Sequence, residues 1–154
     1  MAWVFELAVE CGSERYVAAA LKGHFENLSF DLKEGSDGPY SILPQAITTD
    51  EEQNWWQSAI CTLNGSNVVR HSEDSSVLQK LASVFYDRLR SAQAYRFALV
   101  GVEANQFSTF TGLKTLVTHT GLNGLVLRKD VYDLFNKPTG FECFARDYVW
   151  RPYR

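Results

Sequence analysis

The chain has 154 residues, 45% of them hydrophobic and 21% charged, which is the size and balance of one folded domain and excludes a disordered or low-complexity chain. Its net charge of −3 is unevenly spread: residues 1–106 carry 8 Lys/Arg against 14 Asp/Glu, and residues 107–154 carry 7 against 4. An acidic body with a mildly basic remainder lacks the dense positive surface that displaces counterions, so nucleic acid is excluded as a partner. Cys11, Cys61 and Cys143 are an odd, widely spaced set without C-x-x-C, which argues against a disulfide framework and against a zinc site. Glu6 and Glu10 interrupt what would be the apolar stretch of a signal peptide, and no run reaches the ~18 apolar residues of a membrane span. A cytoplasmic protein with no membrane partner is the expectation.

Trp3 to Glu10 alternates, with Trp3, Phe5, Leu7 and Val9 on one side and Val4, Glu6, Ala8 and Glu10 on the other, the pattern of a strand buried on one face. Ser13 then offers a helix N-cap, and Val17, Ala20, Leu21, His24 and Phe25 recur at helical spacing. Leu28 to Lys33 alternates again and predicts a second strand. Gly35, Gly38, Pro39, Pro44 and the acidic run Asp50–Glu52 punctuate a long connection, in which a strand within Ser41–Ile47 would be confined to an edge by Pro44. Trp55 to Leu63 reads as a strand closed by turn residues at Asn64–Asn67. Caps within Ser72–Ser76 precede the stripe Val77, Leu78, Leu81, Val84, Phe85, Arg88 and Leu89, the clearest helix in the chain. Tyr95 to Glu103 predicts another strand.

Residues 3–103 thus run strand, helix, strand, strand, helix, strand. That order predicts an α+β fold with a ferredoxin-like βαββαβ two-layer core, its helices on one sheet face. Residues 107–154 are expected to form a C-terminal α/β extension packed on residues 1–106, the whole of 1–154 being one domain. In it, Phe107–Thr120 is ambiguous between helix and strand, Gly124–Arg128 predicts a strand, and Lys129–Phe135 a helix stopped before Pro138.

No coherent catalytic set emerges. Glu6 and Glu10, four strand residues and about 13 Å apart, are too distant for a carboxylate dyad, and the expectation is that they are solvated or paired with the basic C-terminal segment. Cys11 to Arg15 forms a strand-to-helix turn of the kind that holds anions, but with three residues between Cys11 and Arg15 it lacks the spacing of a phosphatase loop, and no phosphate-binding glycine motif occurs. His24, His71 and His119 stand in no metal-ligand spacing, and the residues around Phe107–Thr111 offer no hydrolase elbow. No metal and no cofactor is implied.

Two surfaces remain. The sheet face carrying Glu6, Glu10 and Trp56, on which Ile60, Val100 and Val102 are also expected, needs a cover: the C-terminal extension, a partner protein or second copy, or a small ligand. Tyr148, Trp150, Arg151 and Tyr153 are residue types enriched in interface hot spots, and equally suit a terminal strand that docks back onto the fold. The function expected is a non-catalytic protein-binding module, of inhibitor, immunity or adaptor type, acting on another protein or on itself. The alternative is a small-molecule site, enzymatic or regulatory, between the open sheet face and the extension, with Glu6, Trp56 and Arg151 as its first residues.

Overall fold

The computed structural model describes residues 4–31, 39–63, 66–67, 75–92, 94–102, 104, 109–119 and 122–154. Trp3, Glu103, His71, the caps at 72–74 and the turn residues Asn64 and Gly65 therefore lie outside the described residues. The strands are β1 (Phe5–Glu10), β2 (Leu28–Phe30), β3 (Tyr40–Pro44), β4 (Thr48–Thr49), β5 (Trp55–Leu63), β6 (Ser66–Asn67), β7 (Phe97–Val102), β8 (Leu125–Arg128), β9 (Glu142–Ala145) and β10 (Tyr148–Arg151). The helices are α1 (Arg15–His24), α2 (Ser75–Arg90), α3 (Phe110–His119) and α4 (Lys129–Leu134). The fold is mixed α+β: one antiparallel sheet in the order β2-β3-β5-β1-β7-β8-β10-β9, with β4 and β6 paired to β5.

The alternation read in β1 sets its two faces. Phe5, Leu7 and Val9 pack with Val17, Ala18 and Leu21 of α1 and with Leu78, Leu81, Phe85 and Leu89 of α2. Ala8 packs on the other side with Trp56, Phe97 and Leu99, under Leu113 and Val117 of α3 and Val131 of α4. Every residue of β1 is therefore buried. Helices lie on both faces, α1 and α2 on one side and those of the extension on the side that was expected to need a cover. The extension adds a third layer, because α3 and α4 return across the face that α1 and α2 leave uncovered.

Register explains a second correction. Leu7 stands opposite Val100 and Ala8 opposite Leu99. Directly opposed residues share a face, so Val100 and Val102 join the α1/α2 side, and Phe97 and Leu99 take the places expected for them.

Two local expectations also change. The α1 N-cap is Glu14, without a side-chain cap bond, rather than Ser13. Gly12 already turns the chain at φ +71°, and the first helical bond runs from the Val17 amide to Glu14 O at 3.1 Å. β3 is internal, flanked by β2 and β5. Pro44 is compatible with this because it is the last residue of the strand, where its missing N–H ends the ladder. The end of the chain is a hairpin: β9 and β10 pair around Arg146–Asp147, with Asp147 at φ +67° and a register shift between Tyr148 and Val149.

Candidate functional site

Among the described residues, a dense polar cluster sits where β1 ends. Glu10 is fully buried, and the expectation of a solvated carboxylate is overturned. Its partner is Arg96, immediately before β7, and not the basic C-terminal segment. Because β1 and β7 run antiparallel, the end of one meets the start of the other, and the Arg96 amide donates to Glu10 O at 2.9 Å. The Arg96 guanidinium then forks onto the carboxylate, Nε lying 2.9 Å from Oε1 and 3.1 Å from Oε2, with Nη2 on Oε2 as well. The Gly12 amide donates to Oε1. The strand-to-helix turn thus does hold an anion, and the anion is the chain's own Glu10.

Arg96 carries the cluster outward. Its guanidinium carbon lies 4.2 Å from the centre of the Phe110 ring, at the first turn of α3. Glu52, from the β4–β5 connection, accepts from the Thr111 amide at 3.1 Å and the Thr111 hydroxyl at 2.7 Å. Those bonds hold its carboxyl below the usual range. Asp50 organises the same connection, accepting from the amides of Glu52 (2.8 Å) and Asn54 (3.0 Å) and from the Trp56 indole N–H (2.8 Å). Trp56 in turn meets Phe97 edge-on at 5.4 Å. Arg128 grips Asp130 through two bonds of 2.7 and 2.9 Å, and the Asp130 carboxyl is lowered by that hydrogen bonding. These carboxylates are all engaged as acceptors within the fold.

Glu6 is 2% exposed, between Ile60 on β5 and Gly101 on β7, and so is not a solvated carboxylate either. Glu6, Trp56 and Arg151 are not brought together. β10 is separated from β5 by β1, β7 and β8, four strand spacings or roughly 19 Å.

The aromatic terminus docks back. Tyr148 stacks on Tyr95 at 4.3 Å and donates its hydroxyl to Tyr95 O at 2.7 Å. Trp150 packs edge-on against Tyr86 at 4.8 Å, with the Arg90 guanidinium 5.0 Å from its ring centre. The Tyr153 amide donates to the Tyr86 hydroxyl at 3.0 Å, and its ring meets Phe5 at 5.5 Å. Arg151 donates to the carbonyls of Leu122 and Thr139 and lies over Phe141, rather than meeting the acidic body through a carboxylate.

Among the described residues, one Ser–His contact lies outside this cluster. His24 Nε2 lies 3.0 Å from Ser91 Oγ, beside a cavity of about 210 Å³, but also 2.8 Å from Arg88 O. A carbonyl only accepts, so Nε2 carries the proton and has no lone pair with which to activate Ser91. The contact ties the C-terminal ends of α1 and α2. Among the described residues, no group of three His, Cys, Asp or Glu side chains is placed to hold a metal ion, and no helix is long and apolar enough to cross a membrane.

The thiols give a measurable consequence. Burial, reinforced for Cys11 by the Glu10 charge, pushes Cys11 and Cys61 from 9.0 up to about 12. Cys143 is exposed. At pH 8 the native chain is expected to take up a thiol reagent at Cys143 alone, and all three cysteines to react in denaturant. Since the folded values lie above the unfolded ones, the stabilisation is complete below pH 9 and declines as the pH rises toward 12. Buried Tyr95, Tyr86 and Tyr148, also raised by burial, act in the same direction. Urea midpoints at neutral pH and near pH ~10.5 test the sign; an unchanged midpoint contradicts it.

Arg96, Asp50 and Glu52 carry this cluster, and no motif in the sequence singles them out. A signal for Arg96 does exist: pairing the first and last predicted core strands antiparallel sets the end of one beside the start of the other. Compared with known proteins, the chain matches no family model, no curated protein and no solved structure.

Proposed function

We propose that this chain is a non-catalytic protein-binding module, built as one domain on a ferredoxin-like core and acting in the cytoplasm. The strand order β3-β5-β1-β7, with α1 and α2 against one face, supports the ferredoxin-like reading, β3 taking the second-strand position and β2 adding an outer strand. The observation that carries the functional reading is the contrast between occupied polar groups and exposed apolar ones. Glu10, Glu52, Asp50, Asp130 and His24 are engaged within the fold, while Leu43 of β3 is 52% exposed beside a surface cleft of about 510 Å³.

That cleft is lined by the apolar Leu28, Ile42, Leu43 and Pro44 together with the polar Lys22, Glu26, Asn27, Ser29 and Ser41. A lining that mixes apolar and polar side chains around an exposed leucine suits a protein contact site. Tyr148, Trp150 and Tyr153, which sequence alone offers as contact residues, are engaged in packing against the core and serve this reading only as its support. The test is a native pulldown with tagged wild-type chain and with Leu43→Asp. A stoichiometric partner lost on substitution is expected. Equal recovery from both chains refutes the cleft, and turnover of a metabolite by purified chain with no protein partner refutes the whole reading.

A further inference from the structure

We propose that α3 is a detachable cover on the sheet, opening by local unfolding while the rest of the fold stays closed, with its first turn latched by Glu52 and Arg96. The helix is poorly supported by its own residues. Thr111, Gly112, Thr115, Val117 and Thr118 all have low helix propensity. Thr115 and Thr118 also turn their hydroxyls back onto the carbonyls four residues earlier, at 3.4 and 2.8 Å, an arrangement that weakens helices.

Its attachment is thin as well. Among the described residues, α3 buries Leu113 and Val117 fully, with Phe110 and Leu116 partly buried, whereas α2 buries Leu78, Leu81, Ala82, Phe85, Tyr86 and Leu89. A ten-residue helix of this composition does not persist by itself in water, so its order depends on tertiary contacts and on its ends. Among the described residues, its polar bonds gather at the N-terminal end. Glu52 takes the Thr111 amide and hydroxyl, Thr109 Oγ1 takes the Gly112 amide at 3.1 Å, and Arg96 lies on the Phe110 ring. Release of this turn frees Leu113 and Val117 together and bares Trp56 and Phe97 on the sheet beneath. α4 is expected to remain, since it continues directly from β8 and is anchored by Val131 and Phe135.

Native-state hydrogen exchange under conditions of fast closing measures the opening directly. In the wild-type chain, amides of residues 114–118 are expected to exchange faster than those of β1 and β7 by about tenfold or more. Glu52→Ala, a change at an exposed side chain, is expected to speed exchange several-fold in α3 alone. Thr111→Val, which keeps the amide bond to Glu52, is expected to have a smaller effect of the same kind. A common exchange rate for α3 and β1 in the wild-type chain overturns the proposal. So does a Glu52→Ala chain in which α3 is unaffected or all elements accelerate equally.

Discussion

Gly124→Ala is expected to lower stability by about 4 kcal/mol, combining a left-handed backbone with a steric overlap. Gly124 sits at φ +86° just before β8, and a Cβ there would fall well inside van der Waals distance of the Val100 carbonyl oxygen. The overlap cannot relax cheaply. The Gly124 amide donates to Arg151 O at 2.8 Å, and its carbonyl accepts from the Val100 amide at 2.9 Å, so the residue is bonded toward β7 and β10 at once. Gly23 in α1 provides the contrast, with open space where an added methyl group would sit and an ordinary helical backbone. Gly23→Ala is expected to stabilise by about 0.5–1 kcal/mol. Urea unfolding of the two variants checks both signs; equal effects would rule out the close approach at Gly124.

Arg96→Ala is expected to cost about 3–5 kcal/mol, because it strands a carboxylate that has no access to water. The Glu10 side chain is 0% exposed, against 24% for that of Arg96. The asymmetry predicts an order. Removing the arginine leaves a buried charge, while Glu10→Gln leaves a guanidinium that can still reach solvent and Phe110, so the second change costs less. A double-mutant cycle on this pair measures the coupling; an Arg96→Ala effect no larger than that of Glu10→Gln contradicts the arrangement.

Much of the fold is legible in the sequence because patterning and geometry agree. β1 alternates over its length, α2 carries an uninterrupted stripe, and the step from β8 into α4 falls where Gly124 to Arg128 and Lys129 to Phe135 predict it. The existence of β7 is legible but its faces are not: Phe97–Val102 is apolar on both sides, so only pairing with β1 fixes which residues point where. α3 is ambiguous for a physical reason, since threonine-rich sequence leaves the choice of helix or strand to tertiary contacts. The candidate site is half legible. Glu10 can be named, but a carboxylate in an alternating strand looks solvent-facing until the element covering it is known. Trp56 is correctly set on that face, whereas its anchor Asp50 lies in a run that reads as an ordinary acidic loop. The terminal aromatics suit docking or binding equally, and only the partners Tyr86, Tyr95 and Phe5 distinguish the two.

The central position of β1 also governs how fast the fold can form. Its neighbours in the sheet are Ile60 and Val100, distant in sequence, and the face of Phe5 is completed by Tyr153. Each of these pairings closes a long loop before any burial repays the lost chain entropy. The helices, by contrast, are local and form quickly but have no sheet to rest on until those loops close. Assembly is therefore limited by the search for long-range strand partners, which sets this chain among slowly folding topologies despite its modest length.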